Sequence, residues 1–301
     1  MATPGPVGPS PTPSRSASFV IVGVAYAVAL VVAVGVGVLM GSSSPLVTVL
    51  VADLAATLVI FGSSRLVNNS SMYDIYWSVV PPVIALYLWA VAEPDVPLIR
   101  QFLVVGCVWF WAIRLTANWA RGWPGLGHED WRYEAQREGG PVPYWVASFF
   151  GFHVFPTIQV YLGCLPLYPA LVVGTDPYGV LDAVAVVVTM GAVLLELVAD
   201  EQLRSFNRTK APGDICAVGV WGWCRHPNYL GEQLFWWGLW IFGLAADPSW
   251  WWTVIGPLAM TAMFVFASIP MIDRRSVERR PGYEDHMARV PALRPRRPRS
   301  T

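Results

Sequence analysis

The sequence predicts an all-α polytopic membrane bundle of about seven to eight transmembrane helices, with both termini cytoplasmic. Three observations carry that expectation: a charge-poor composition, a succession of apolar runs of membrane-crossing length, and arginines gathered on one side of those runs. Of 301 residues 55% are hydrophobic and 13% charged, and the mean hydropathy is +0.48; soluble domains carry about a quarter charged residues. Net charge is zero, which argues against a nucleic-acid partner. Cys107, Cys164, Cys216 and Cys224 show no C-x-x-C spacing, so neither a disulfide framework nor a metal site is expected.

Residues 1 to 18, rich in Pro, Ser and Gly, read as a disordered tail. A signal peptide is the competing reading, but only Arg15 precedes the apolar run and no small-residue cleavage pattern follows it. The first span is Phe19 to Met40, long enough for about 30 Å of hydrocarbon. A return follows from Pro45 to Phe61, and a third span from about Ile75 to Ala92. The fourth runs from Leu98 to about Ala120, with Arg114 and Asn118 on one face near its end. The fifth is Tyr144 to about Leu167, after an amphipathic piece, HEDWRYEAQREGG. The sixth, Tyr178 to Ala199, continues as a polar helix through Arg208. The seventh begins near Asn228 and ends by Ala246; the eighth, behind a Trp250–Trp252 belt, reaches Pro270. The bundle thus covers residues 19 to 272, and residues 273 to 301 form a basic tail in which His286 is expected to be solvated. Eight spans place 19 of the 20 basic residues on one side, with Arg100 the exception. The positive-inside rule makes that side cytoplasmic. Arginine outnumbers lysine 19 to one, a compositional hint of a bacterial genome. The expected location is therefore the bacterial cytoplasmic membrane, or the endoplasmic reticulum in a eukaryote.

The chemistry gathers at the cytoplasmic ends of spans four, six and seven. Gly219 to Gly238, GVWGWCRHPNYLGEQLFWWG, packs Arg225, His226, Asn228, Tyr229 and Glu232 into eight residues. Pro227 suits the first turn of a helix and disfavours helical conformation at His226. The Arg-His pair then precedes a helix N-terminus, which favours an anion. The plain alternative is an interfacial anchor with Arg225 paired to Glu232. On the sixth span, Glu196, Asp200 and Arg204 recur at i,i+4, and Arg208 extends the row. A surface face laced by Asp200–Arg204 is the simpler account; carboxylates at membrane depth argue for an interior or a cavity instead. Arg204, Arg208 and Lys210, with Arg225 and His226, can surround a multiply charged phosphate. No Walker loop and no G-x-G-x-x-G after a strand occurs, so a nucleotide would bind outside those designs. His153 and His128 read as lone structural or interfacial histidines.

The runs E-x-x-x-A-D-x-Q-L-x-x-F (Glu196 to Phe206) and G-x-W-x-x-x-R-H-P-N-Y-x-G-E-x-x-x-W-W-G (Gly219 to Gly238) resemble the steroid 5-alpha-reductase-like membrane family. Similarity also touches Arg114-Leu115-Thr116, Trp131-Arg132-Tyr133, Ile269-Pro270 and the Tyr283-to-Pro291 tail, covering roughly residues 68 to 291, with the reductase-like part of the bundle from about 100. The resemblance implies an enzyme that binds NADPH at the cytoplasmic helix ends and reduces an activated C=C bond in a steroid-like or other lipid. By position, Asp200, Arg204, Asn228 and Glu232 match cofactor-contacting residues; Arg225, His226 and Tyr229 lie in the same block, and Arg114 matches an upstream basic position. The N-terminal third, where steroid-reducing members keep an acid pair, matches poorly. Hydride delivery to an enone needs an acid at the carbonyl oxygen. Asp74, Tyr73 and Tyr76, in NNSSMYDIYWS, are the expected acid set. Their simpler account is N-capping by Ser71 or Asp74 plus an interfacial aromatic belt. Two rivals remain: a lipid or isoprenylcysteine-type methyltransferase using S-adenosylmethionine, whose relatives share a similar R-H-P-x-Y-x-G block, and a non-catalytic lipid-binding or transport protein. Oligomeric state and the identity of the lipid stay open.

Overall fold

The computed structural model describes residues 13–41 and 43–296, and among them every regular element is helical. In chain order these are α1 (Arg15–Leu39), α2 (Pro45–Leu66), α3 (Tyr76–Ala90), α4 (Leu98–Gly122), α5 (Trp131–Gly139) and α6 (Tyr144–Ala147). Then come α7 (Phe155–Cys164), α8 (Val180–Thr209), α9 (Pro227–Ala246), α10 (Ile255–Met263), α11 (Ile269–Arg279) and α12 (Tyr283–Arg289). Six helical segments are long and apolar enough to cross a membrane: Arg15–Leu39, Pro45–Leu66, Leu98–Gly122, Tyr144–Val173, Val180–Thr209 and Pro248–Arg279. The other two predicted spans are α3, 15 residues with Pro81 and Pro82 inside, and α9, 20 residues kept less apolar by its polar first turns. The chain divides into two compact units, Met1–Trp77 with Trp119–Ile158, and Ser78–Asn118 with Gln159–Thr301.

In the first unit α1 packs on α2. The expected disordered stretch to residue 18 is too long. Ser14 caps α1 by accepting from the Ala17 N–H at 3.3 Å. Arg15 donates to the carbonyls of Trp123 and Ala120, both at 2.8 Å. A guanidinium satisfies and complements the last carbonyls of a helix, here α4, so the chain is ordered from that point. Residues 1–12 of the predicted tail lie outside the described residues. Between α2 and α3, Asn69 caps the short turn Ser70–Tyr73 by accepting from the Ser71 N–H at 2.8 Å. That role had been expected of Ser71 or Asp74.

In the second unit α8 and α9 approach closely because α9 carries glycine at two successive contact positions. A Cβ on Gly231 would stand 2.4 Å from Glu196 Cγ, and one on Gly238 would stand 2.1 Å from Thr189 Oγ1. Small residues permit such close backbone packing where no hydrophobic drive separates helix from lipid. Arg100, the one basic residue predicted on the outer side, is wholly buried. Its Nε donates to Asp182 Oδ1 at 2.6 Å, and Nη1 and Nη2 donate to the carbonyls of Asp176 (2.9 Å) and Ala245 (3.0 Å). The last span also runs past Pro270, since α11 continues to Arg279. His286, expected in solvent, is buried beside Tyr283, with ring centroids 5.7 Å apart, and burial lowers its pKa.

Candidate functional site

Three helices of the second unit each contribute one stripe to a buried ionic cluster. Trp111, Arg114 and Asn118 lie on one face of α4, Glu196, Asp200 and Arg204 on one face of α8, and Glu232 and Trp236 on one face of α9. Arg114 Nη1 donates to Asp200 Oδ2 at 2.8 Å, while Nη2 bonds Glu196 and lies 4.0 Å from Glu232 Oε2. Asn118 Nδ2 donates to Asp200 Oδ2 at 3.0 Å, and its Oδ1 accepts from Arg204. The two oxygens of Glu232 accept from the indole N–H groups of Trp111 and Trp236, both at 3.0 Å. Arg114, Asp200, Arg204 and Glu232 of the predicted site are thus brought together. The surface face laced by Asp200–Arg204 is not what forms: Asp200 turns to Arg114 and Asn118, and Arg204 lies 3.6 Å from Glu201. Three carboxylates surround Arg114, and Glu196 Oε1 is buried with no hydrogen-bond partner among the described residues. The cluster sets three carboxyl groups against the guanidinium groups of Arg114 and Arg204. Asn118 and Trp111, which complete it, sit at i+4 and i−3 from Arg114, so the helical stripe pointed to both.

Because Glu232 answers two buried indoles, Glu232→Gln leaves one N–H facing an amide donor. A buried donor left unsatisfied costs about 1–3 kcal/mol. The expected result is a lowered thermal melt of the purified variant, and an unchanged melt counts against these two bonds.

The R-H-P-N-Y block does something else. Arg225 and His226 do not join the Arg114 cluster; they converge on Asp273 of α11. Arg225 Nη2 lies 2.7 Å from Asp273 Oδ2, His226 Nε2 lies 2.9 Å from Oδ1, and Tyr283 donates its hydroxyl to Oδ1 at 3.0 Å. Arg225 Nη1 also donates to the carbonyls of Met287 and Val290. The anion beside Arg225 and His226 is therefore a side chain of the same unit, and the alternative Arg225–Glu232 anchor pair does not form either, since Arg225 pairs with Asp273. His226 is the N-cap residue of α9, with Pro227 in its first turn as the sequence predicts. Its ring stacks on Tyr229, with centroids 5.5 Å apart. Asn228 Oδ1 accepts from the Tyr229 N–H at 3.1 Å. Arg208 and Lys210, at the end of α8, are exposed and outside the cluster.

The first unit holds a second buried polar set, and it regroups the predicted acids. Tyr76 donates its hydroxyl to Asp53 Oδ1 at 2.7 Å and lies 3.3 Å from Thr57 Oγ1. Thr57 Oγ1 is 2.7 Å from Thr157 Oγ1, which is also 2.7 Å from the Tyr73 hydroxyl. Tyr73 and Tyr76 stack, with ring centroids 4.7 Å apart. Asp74 is not part of this set: its Oδ1 accepts from Tyr133 at 2.8 Å. The protein around Asp74 pushes its carboxyl up to about 7 by desolvation, against the Tyr133 hydrogen bond that lowers it. The carboxyl beside Tyr76 is Asp53, a residue absent from the predicted site; its Oδ2 is buried with no hydrogen-bond partner among the described residues. A lone acid inside an apolar run was the available signal. His153, read from sequence as a structural or interfacial histidine, is buried, with Nδ1 2.8 Å from the Ser148 carbonyl and Nε2 3.1 Å from Ser64 Oγ.

Helices of membrane-crossing length around buried ionisable clusters define a polytopic integral membrane protein. The chain belongs to the family described as "Protein of unknown function (DUF1295)", whose model matches residues 60–290. It is 27% identical over 281 residues to "Uncharacterized protein C594.04c" of Schizosaccharomyces pombe, covering 85% of this chain and 81% of that one. No solved structure matches it.

Proposed function

We propose that this chain is an NADPH-dependent membrane reductase acting on an activated C=C bond of a steroid-like or other lipid, as the steroid 5-alpha-reductase-like resemblance implies. The observation that carries the reading is the buried Tyr76–Asp53 pair. Ionisable residues at membrane depth are rare and usually functional, and a tyrosine backed by a carboxyl is suited to proton donation. NADPH, when bound, supplies the hydride to the β-carbon of the enone. With Asp53 protonated and donating to the Tyr76 oxygen, the reverse of the Tyr76-to-Asp53 hydrogen bond, Tyr76 would turn its single O–H to the carbonyl oxygen and pass that proton to it as negative charge develops, taking a replacement from Asp53. The oxygen would return its proton to the Tyr76–Asp53 pair as the α-carbon takes one from water, so that the saturated carbonyl product gains one hydride and one proton in all.

The second unit has residues for the nucleotide, though fewer cations than the sequence led us to expect. Arg114 is matched by Glu196 and Asp200, Arg204 faces Glu201 and Asn118, and Arg225 and His226 are held by Asp273. Exposed Arg208 and Lys210 are left for a 2′-phosphate, whereas Glu232, Asn118 and Asn228 already accept from Trp111 and Trp236, Arg204 and Tyr229 and would exchange those donors for ribose or amide groups. A second reading draws on the surplus of carboxylates around Arg114, which favours a cationic ligand such as the sulfonium of S-adenosylmethionine. The distribution of arginines supports eight spans with both termini in the cytoplasm.

The test is a thermal melt in detergent with NADPH, NADH or S-adenosylmethionine. A ligand at 100 times its dissociation constant stabilises by about 2.7 kcal/mol. NADPH is expected to raise the melt most, and Arg208→Gln with Lys210→Gln to weaken NADPH more than NADH. A shift by S-adenosylmethionine alone reverses the assignment.

A further inference from the structure

The Arg- and Pro-rich tail does not trail away from the last helix. It is strapped along the residues that precede α9. The Arg225 N–H donates to the Pro291 carbonyl at 2.9 Å, the His226 N–H to the Ala292 carbonyl at 3.1 Å, and the Arg296 N–H to the Trp223 carbonyl at 3.0 Å. Asp273 and Arg225 pin the start of the strap through Tyr283, Met287 and Val290. The strap and α12 together line an open-sided cavity of about 670 Å³, with Met287, Arg289, Pro291, Arg294, Pro295 and Arg296 around it and the three arginines exposed.

The lining decides what this cavity accepts. Pro291 and Pro295 have no N–H to offer, so guanidinium groups are its strong donors. Among the described residues Arg294 and Arg296 make no ion pair, and Arg289 uses its Nε on the Asp285 carbonyl at 3.2 Å. Three arginine forks within eight residues, without a carboxylate in the lining, match the several oxygens and multiple charge of a phosphate. A hydrophobic ligand would have to strip those guanidinium groups of water without return. The volume also leaves room for whatever the phosphate is attached to.

We infer that this cavity is a phosphate-binding site built by the C-terminal strap, separate from the Arg114 cluster and independent of the reductase reading. Two sources present that chemistry. The strap begins about a dozen residues beyond a segment long and apolar enough to cross a membrane that ends at Arg279, a place where basic side chains meet anionic lipid headgroups; a soluble nucleotide phosphate is the other.

Backbone amide exchange of the full chain distinguishes them, because the Arg225, His226 and Arg296 N–H groups report directly on the strap. One arm compares nanodiscs of phosphatidylcholine alone with discs containing phosphatidylglycerol. The other adds 2′,5′-ADP to phosphatidylcholine discs. A phosphate held by the strap slows exchange of those amides, by about tenfold at ten times the dissociation constant. Protection in the first arm assigns a lipid headgroup, and protection in the second assigns a soluble phosphate. The double variant Arg294→Gln/Arg296→Gln is expected to lose the protection with an unchanged melt, while Arg294→Lys/Arg296→Lys retains part of it. Failure of both anions to slow exchange in the unaltered chain overturns the inference, as does full protection in the glutamine variant. NADPH binding measured by thermal melt stands or falls separately.

Discussion

Tyr76→Phe is expected to reduce turnover by about 10²–10⁴-fold, the usual span for removing a positioned acid. The variant keeps the ring, and so keeps the stack on Tyr73 at 4.7 Å. It removes only the hydroxyl that donates to Asp53 Oδ1. Asp53→Asn should reduce turnover as well, since an amide cannot pass a proton to the tyrosine. The comparison that gives the test its force uses the other acids named from sequence. The Tyr73 hydroxyl bonds Thr157 and Asp74 accepts from Tyr133, so neither belongs to the Tyr76–Asp53 pair. Tyr73→Phe and Asp74→Asn are therefore expected to retain most of the activity, at a stability cost of about 1 kcal/mol for the lost hydrogen bond. The measurement is NADPH consumption with an enone-bearing steroid as probe, beside a melt of each variant. A Tyr76→Phe enzyme as active as the parent would remove the proton donor from the mechanism.

These substitutions also mark how far the sequence could be read. Local features transferred well. Pro227 announced the first turn of α9, and the four-residue spacing of Glu196, Asp200 and Arg204 announced a shared stripe on α8. The resemblance estimated from motifs, roughly residues 68 to 291, lies close to the 60–290 matched by the family model. Partnerships did not transfer, because a helical period says which residues share a face and nothing about what that face meets. Asp53 sits alone in a 22-residue apolar helix, and its tyrosine is 23 positions away. Arg225 and Glu232, seven residues apart, looked like natural partners; packing gave Arg225 to Asp273 and Glu232 to two indoles. His286 read as solvated because its neighbours are polar, yet α12 folds back and buries it. Charge counting misled for a similar reason: the cations available to a phosphate were overestimated while the internal carboxylates that meet them were not yet located.

Asp273→Asn is expected to cost about 3–5 kcal/mol, the range for breaking a buried ion pair by removing one partner. Asp273 and Arg225 are both buried, at 5% and 9% exposure. The carboxylate answers three donors at once, from Arg225, His226 and Tyr283. Asparagine preserves the volume but removes the charge, leaving a buried guanidinium with only the Met287 and Val290 carbonyls. Those carbonyls belong to α12 and the residue after it, so the strap loosens with the pair. Limited trypsin digestion should then cut after Arg289 at temperatures well below the global melt, whereas the parent chain should stay protected there. Arg274→Gln, one residue away, supplies the contrast. Its pair with Glu278, at 3.3 Å, is exposed on both sides, and exposed pairs contribute at most about 1 kcal/mol. If Asp273→Asn and Arg274→Gln behave alike in melt and digestion, Asp273 is not the residue that fastens the tail to the start of α9.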